Sequence, residues 1–263
     1  MDALAALRLL IEWGADEALG DQPVDRRTEP PAPAPVLRAP VSAPVSAPVS
    51  APVPAPGART APGAAGSAAE VASRAGTVAE LRALLAGFEG CPLRFTAKSL
   101  AFADGNEAAG LVVVGEAPSD DDDREGRPFS GPGGAQLDRV FGSAGLDRSG
   151  MLLTLLVPWR PPGKRAPSPS EIASCLPFLH RHLFLLRPRR LVLFGGAVTR
   201  ALGLGADSIG RLRGTWRDVE IPGVGPVPAL PMRPVDLALK SPGNKREMWA
   251  DLMALRAVCE DQG

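Results

Sequence analysis

The chain is 263 residues long, carries no formal net charge, and contains 45% hydrophobic and 22% charged residues with three cysteines. No segment is apolar for long enough to span a bilayer, and three cysteines without an obvious pairing fit a reducing cytoplasm rather than a disulfide scaffold. The 29 prolines are unevenly spread, which points to an appendage on a folded domain.

In chain order, Leu4, Leu7, Leu10, Ile11 and Trp13 fall on one side of a helix, so residues 1–22 are expected to form a short amphipathic helix. Asp2, Arg8 and Glu12 interrupt the apolar run that a secretory signal needs. Such a helix suits docking on the core or on a protein partner, or it is an unattached tail. Residues 23–75 hold an Ala-Pro-Val-Ser repeat with no apolar period, which reads as a disordered, polyproline-leaning linker. Residues 76–263 remain, enough for one well-buried domain.

Short apolar runs near 111–115, 151–157, 190–195 and 227–232 read as strands. Helical periods fill 78–88, 134–145, 169–186, 197–203 and 244–258. Strands alternating with helices predict a three-layer α/β/α sandwich around a central, mostly parallel four-stranded sheet. In that arrangement the ligand site lies at the carboxyl ends of the strands.

The most informative stretch runs from Leu111 to Gly134: a buried-type strand, the turn Gly115-Glu116-Ala117-Pro118-Ser119, four aspartates at 120–123, then Gly126-Arg127-Pro128-Phe129 and a glycine-rich helix start. Residues 104–125 carry eight acidic side chains against Arg124 alone. Residues 158–217 carry eleven Lys and Arg against Glu171 and Asp207. An acidic loop beside a basic surface suits an enzyme that grips a polyanion while keeping carboxylates at the reacting centre; solvated faces of ordinary helices are the plainer alternative. Asp120 to Asp123 resemble a divalent-cation set, but consecutive residues cannot all turn to one ion without a special loop, so no metal site is expected.

The 115–129 stretch resembles the first motif of the bacterial uracil-DNA glycosylases of family four, and further blocks follow in that family's order. They are Arg160-Pro-Pro-Gly-Lys164-Arg165, Glu171 to Cys175, Arg189 to Ala197, Ile209 to Gly214, and Pro242-Gly-Asn-Lys245-Arg246. The resemblance covers roughly residues 85 to 256. It implies a glycosylase that acts on DNA holding uracil or another deaminated base, cleaving the N-glycosidic bond after flipping the base out of the stack. It further implies a monomeric, cytoplasmic repair enzyme.

On that resemblance, Phe129 stacks on the base, and Gly115, Ala117, Pro118, Ser119 and Leu155 line the base pocket. Pro118 has no N–H, so Ala117 and Ser119 are the expected donors. Glu116, Asp122 and Asp123 are the candidate carboxylates for stabilising an oxocarbenium-like sugar and orienting water. Lys164, Arg165, Arg211, Arg213, Lys240, Lys245 and Arg246 are the expected DNA-binding cations.

Three departures from the family pattern stand out. Leu155 replaces the asparagine that reads the base, and Arg233 replaces a histidine, so Arg233 is a candidate for stabilising the departing anion or for clamping phosphate. The third is that only Cys91 and Cys175 remain of four iron–sulfur cysteines, with Phe88 and Trp159 at the other two positions. The cluster is therefore expected to be absent, leaving no cofactor. Cys259 reads as a structural thiol. His180 and His182, two apart on a helix, read as a surface pair.

Three functions stay open on the sequence: a cluster-less glycosylase, a catalytically silent relative that binds single-stranded or damaged DNA, and a nucleotide binder using Gly131 to Gly134 for phosphate.

Overall fold

The computed structural model describes residues 67–260, so the helix expected over 1–22 and most of the 23–75 linker lie outside the described residues. In chain order the elements are α1 (Ala68–Ser73), α2 (Val78–Gly87), a 3₁₀ turn (Pro92–Phe95), β1 (Ala103–Gly105) and β2 (Leu111–Gly115). Next come α3 (Asp120–Glu125), α4 (Gly131–Gly142), β3 (Leu152–Leu155), a second 3₁₀ turn (Pro162–Lys164), α5 (Pro169–Leu186), β4 (Arg190–Phe194) and α6 (Gly196–Ala201). The chain closes with α7 (Ile209–Leu212), β5 (Arg217–Ile221), β6 (Gly225–Met232), α8 (Val235–Ala238) and α9 (Pro242–Glu260).

The strands hydrogen-bond in the order β1-β3-β2-β4-β6-β5. The inner four are mutually parallel, with Val112 opposite Leu152 and Leu191, and Leu191 opposite Ala229. These are the four strands expected from the sequence. Two antiparallel edge strands are added: β1 on β3 and β5 on β6. Both are mostly solvent-facing, which is why their apolar signal is faint.

β2 sits at the centre because Leu-Val-Val-Val-Gly is buried at every position, as a strand covered on both faces requires. Its residues alternate between two cores. Val112 and Val114 join Leu81, Leu85, Phe178 and Leu183 on one face, while Leu111 and Val113 join Leu137, Phe141, Leu230 and Leu252 on the other.

The folded domain begins earlier than residue 76. Ser67 and Glu70 form a reciprocal capping box that starts α1, Ala72 and Ala75 are buried, and Arg181 of α5 donates its Nε to the Ala75 carbonyl at 2.9 Å. The Ala-rich stretch reads as linker composition, yet Ser-x-x-Glu at 67–70 is the local signal that it is helix.

Cys91 and Cys175 are both buried with their sulfurs 3.8 Å apart. Phe88 packs on Phe178 with ring centres 4.9 Å apart, and Trp159 is buried in the same cluster.

The histidines are not a surface pair. His182 is 1% exposed, stacks on Phe102 with ring centres 4.5 Å apart, and has its Nδ1 3.5 Å from the Thr154 hydroxyl, while Nε2 finds no partner among the described residues. Leu179, Leu183 and Phe178 around it lie on the buried stripe of α5, which the sequence period contained.

Burial pushes the His182 imidazole down to about 4. The folded protein therefore holds it neutral while the unfolded chain takes up a proton below about pH 6.5, so stability is lost as pH falls from about 6.5 toward 4. Urea unfolding across that range should show this slope in the wild type and a shallower one in His182→Leu. Equal slopes would place His182 in water.

Candidate active site

The carboxyl ends of the parallel strands open into a cleft of about 640 Å³. Gly115 at the end of β2, Leu155 at the end of β3 and Phe194 at the end of β4 line it, together with Phe129, Glu116 and the turn 117–119. Gly115 is required by close approach: a Cβ there would sit 2.6 Å from Phe129 Cζ and 2.8 Å from Leu155 Cδ2.

The four aspartates do not form a loop. Ser119 caps α3 through a capping box with Asp122, so Asp120 to Glu125 are a helical turn and a half. Asp122 turns inward; one of its oxygens accepts the Ser119 amide at 2.9 Å and the other accepts the Ser130 amide at 2.5 Å. Asp123 is 1% exposed, accepts the Lys98 and Ser99 amides at 2.8 and 3.1 Å, and pairs with Arg160 Nε at 3.1 Å. Asp120 pairs with Arg160 and Lys164 at the surface, and Asp121 with Arg124. Asp122, which also lines the cleft, and Asp123 thus both bond to backbone amides, and Asp123 to one guanidinium as well. The Ser-x-x-Asp spacing carries that signal in the sequence.

Glu116 differs from all of them. It lines the cleft, half-buried, with no hydrogen-bond partner among the described residues. Burial raises its carboxyl above the ordinary range while the charge of Arg200 draws it back. Gly195, at φ +93°, lies against it; a Cβ there would come within 3.3 Å of Glu116 Oε2.

The donors also sort differently from expectation. The Ser119 amide is consumed by Asp122 and Pro118 has none, whereas the Ala117 amide has no acceptor among the described residues and is free to serve a ligand.

Arg233 does not line the cleft. Its Nε donates to Glu247 of α9 at 3.0 Å, and a Cβ on Gly210 of α7 would meet its guanidinium at 3.2 Å, so it ties β6 to α7 and α9. Arg213 is likewise structural: its guanidinium is bidentate on the buried Asp251 at 2.5 and 3.0 Å and also donates to the Glu247 carbonyl. Arg165 is bidentate on Glu171 at 2.6 and 2.8 Å, holding that carboxyl at about 2 while still lining the cleft. Lys164 stands on the same rim. Arg211, Lys240, Lys245 and Arg246 are exposed and lie outside the cleft.

Phe194, Leu237 and Gln136 line the cleft but are not among the site residues expected from the sequence. Leu237, 44% exposed, stands on the cleft wall in α8 just after Pro234 and Val235. Gln136 of α4 lines the cleft with no hydrogen-bond partner among the described residues. A leucine presented to solvent on a short helix has no periodic signature.

At the strand ends of this parallel α/β domain the cleft thus brings together, among the described residues, the half-buried Glu116 carboxylate without a hydrogen-bond partner, the rings of Phe129 and Phe194, and one free amide. Residues 102–253 match the uracil DNA glycosylase superfamily, and the chain belongs to that superfamily, with a family-four-like pattern. A type-4 uracil-DNA glycosylase of Pyrobaculum aerophilum is 31% identical over 177 residues, covering 66% of this chain and 90% of the relative. That of Saccharolobus solfataricus is 35% identical over 134 residues, covering 48% of this chain and 62% of its own. That of Archaeoglobus fulgidus is 35% identical over 134 residues, covering 49% and 67%.

The iron–sulfur cluster implied by the resemblance does not fit the residues here. Two sulfurs are available, the rings of Phe88 and Trp159 fill the adjoining space, and among the described residues no group of three or more His, Cys, Asp or Glu side chains could hold a metal ion.

Because Asp123 neutralises Arg160 and satisfies two amides in the interior, Asp123→Ala should cost about 3–5 kcal/mol of folding stability, read as a shifted urea midpoint. An unchanged midpoint with lost activity would make Asp123 a reacting group.

Proposed function

We propose that the protein is a DNA base-excision glycosylase that draws uracil or another deaminated base out of the helix into the cleft and hydrolyses its N-glycosidic bond. The observation that carries this is Glu116: a single unpaired, desolvated carboxylate in the cleft that Phe129 lines. The relatives named above support the same reading.

The chemistry follows from the wall residues. As the bond between C1′ and the base nitrogen breaks, its electron pair leaves with the base and the sugar becomes oxocarbenium-like. Ionised Glu116 stabilises that cation and orients the water whose oxygen bonds to C1′, accepting the proton the water releases. Phe129 stacks on the base, and the Ala117 amide donates to a base carbonyl as negative charge grows there. Leu155 offers apolar contact only, so selectivity rests on shape and on that amide. Arg233, turned to Glu247, takes no part.

Lys164 and Arg165 on the rim, with exposed Arg211, Lys240, Lys245 and Arg246, meet phosphates regardless of sequence. Leu237, exposed on the cleft wall, wedges into the space the base vacates. No iron–sulfur cluster takes part; purified protein should be colourless and free of iron, and iron near four atoms per chain would contradict this.

A second reading, DNA binding without turnover, draws on one observation, the absence of a hydrogen-bonding side chain on the Leu155 wall. The two separate in one assay: end-labelled oligomers holding uracil, hypoxanthine or xanthine opposite guanine, treated with alkali after incubation. The glycosylase reading expects scission at the modified base. Salt-sensitive gel retardation without scission supports the binding reading instead.

Glu116→Gln should lower turnover by about 10²–10⁴-fold with little change in affinity for DNA. Because the raised Glu116 carboxyl must be ionised to work, wild-type kcat should fall as pH drops through a value above the ordinary glutamate range. The Gln variant should lack that limb. An unaltered pH profile in the variant would place catalysis on another group.

A further inference from the structure

Phe129 is held in a conformation that its own backbone disfavours. Its φ is +53°, a left-handed value uncommon for a bulky residue, and such geometry persists only where the surroundings over-determine it. Three contacts do so. Arg148, in the loop between α4 and β3, donates its Nη2 to the Phe129 carbonyl at 2.6 Å. The next amide, that of Ser130, donates to Asp122 at 2.5 Å. Gly134 of α4 lies so close that a Cβ there would be 1.8 Å from the Phe129 oxygen.

The Arg148 guanidinium is itself fixed from two sides. Its Nε donates to Asp138 of α4 at 2.8 Å, and its Nη1 pairs with Asp104 of the edge strand β1. Three acceptors on three segments thus share one planar fork, an arrangement a lysine cannot reproduce. Arg148 does not line the cleft; the ring of Phe129 does, 6.1 Å from Phe194.

We propose that Arg148 is a positioning residue that locks the Phe129 peptide so that its ring stands where a flipped base stacks. The inference rests on the reading that the cleft receives such a base. It assigns to β1, an edge strand outside the cleft, the anchoring of the stacking ring through Asp104.

The test is a double-mutant cycle on Arg148→Lys and Phe129→Ala. The lysine keeps a cation for Asp104 and Asp138 but cannot also reach the Phe129 carbonyl. The readout is base-specific affinity: binding of an oligomer carrying 2′-fluoro-arabino-uridine, whose electron-withdrawing fluorine blocks bond cleavage, divided by binding of the same oligomer carrying thymidine. Each single substitution should lower this ratio by about ten- to a hundredfold, the span of one lost stacking contact. The double variant should be no worse than Phe129→Ala alone, because Arg148 acts through that ring. Affinity for the thymidine oligomer and the cooperative melt of Arg148→Lys should be retained.

Additive losses, or an unchanged ratio in Arg148→Lys, would overturn the proposal. If Arg148→Lys fails to fold, Asp138→Asn loosens one anchor only and should give a smaller loss in the same direction; no loss there would overturn it equally. Base-specific binding by a wild type that does not cleave would remove the catalytic reading while leaving the cycle to decide Arg148. No base-specific binding by the wild type would overturn both.

Discussion

Two buried carboxylates hold the site together. Asp122 and Asp123 between them accept four backbone amides, those of Ser119, Ser130, Lys98 and Ser99, and Asp123 adds the Arg160 guanidinium. Hydrogen bonds from backbone amides to a carboxylate are among the stronger kinds. The consequence is geometric. The turn after β2, the start of α4 and the loop before β1 are pinned to one short helix, and the cleft between them has a fixed width.

That scaffold lets one acidic side chain be different from the rest. In the 104–125 segment of eight acids, Asp104 holds Arg148, Glu107 is exposed, Asp120 to Asp123 are paired or bonded to backbone, and Glu125 faces Arg127. Glu116 alone among the acids at the end of β2 is both desolvated and without a partner in the cleft. A carboxyl left in that condition has its affinity for a proton raised and its charge unspent, which is the state a group needs to answer positive charge developing on a ligand. The neighbouring glycines serve this economy of space: Gly115 leaves room for Phe129 and Leu155, and Gly195 for Glu116.

Much of this was legible in the chain. The continuous apolar run at 111–115 gave the central strand, and the turn that follows it gave Glu116, Ala117 and Phe129 as cleft residues. The edge strands escaped because Ala103-Asp104-Gly105 is too short to show a period, while Arg217 to Ile221 does alternate but buries only Val219 and Ile221. The composition of the acidic run suggests a solvated loop, but the capping spacing from Ser119 to Asp122 outweighs composition and makes it helical. The expectation for Arg233 rests on its place at the histidine position of the resemblance, and that for Arg213 on the basic character of its turn. Their true partners, Glu247 and Asp251, lie on the last helix, and no local pattern tells which way a long side chain turns. His182 lies inside because it falls on the buried stripe of α5 with Phe178, Leu179 and Leu183.

The central claim is that the base lies between Phe129 and the Gly115 to Ala117 turn with Glu116 beside its sugar, while Asp122 and Asp123 stay on the backbone. A crystal structure of the protein with an oligonucleotide carrying a non-cleavable 2′-fluoro-arabino-uridine measures this directly. The account predicts the uracil ring stacked on Phe129, a carbonyl accepting from the Ala117 amide, and the Glu116 carboxylate on the C1′ side of the sugar. A base bound away from this cleft, or Asp122 or Asp123 swung out to meet the sugar, would contradict it.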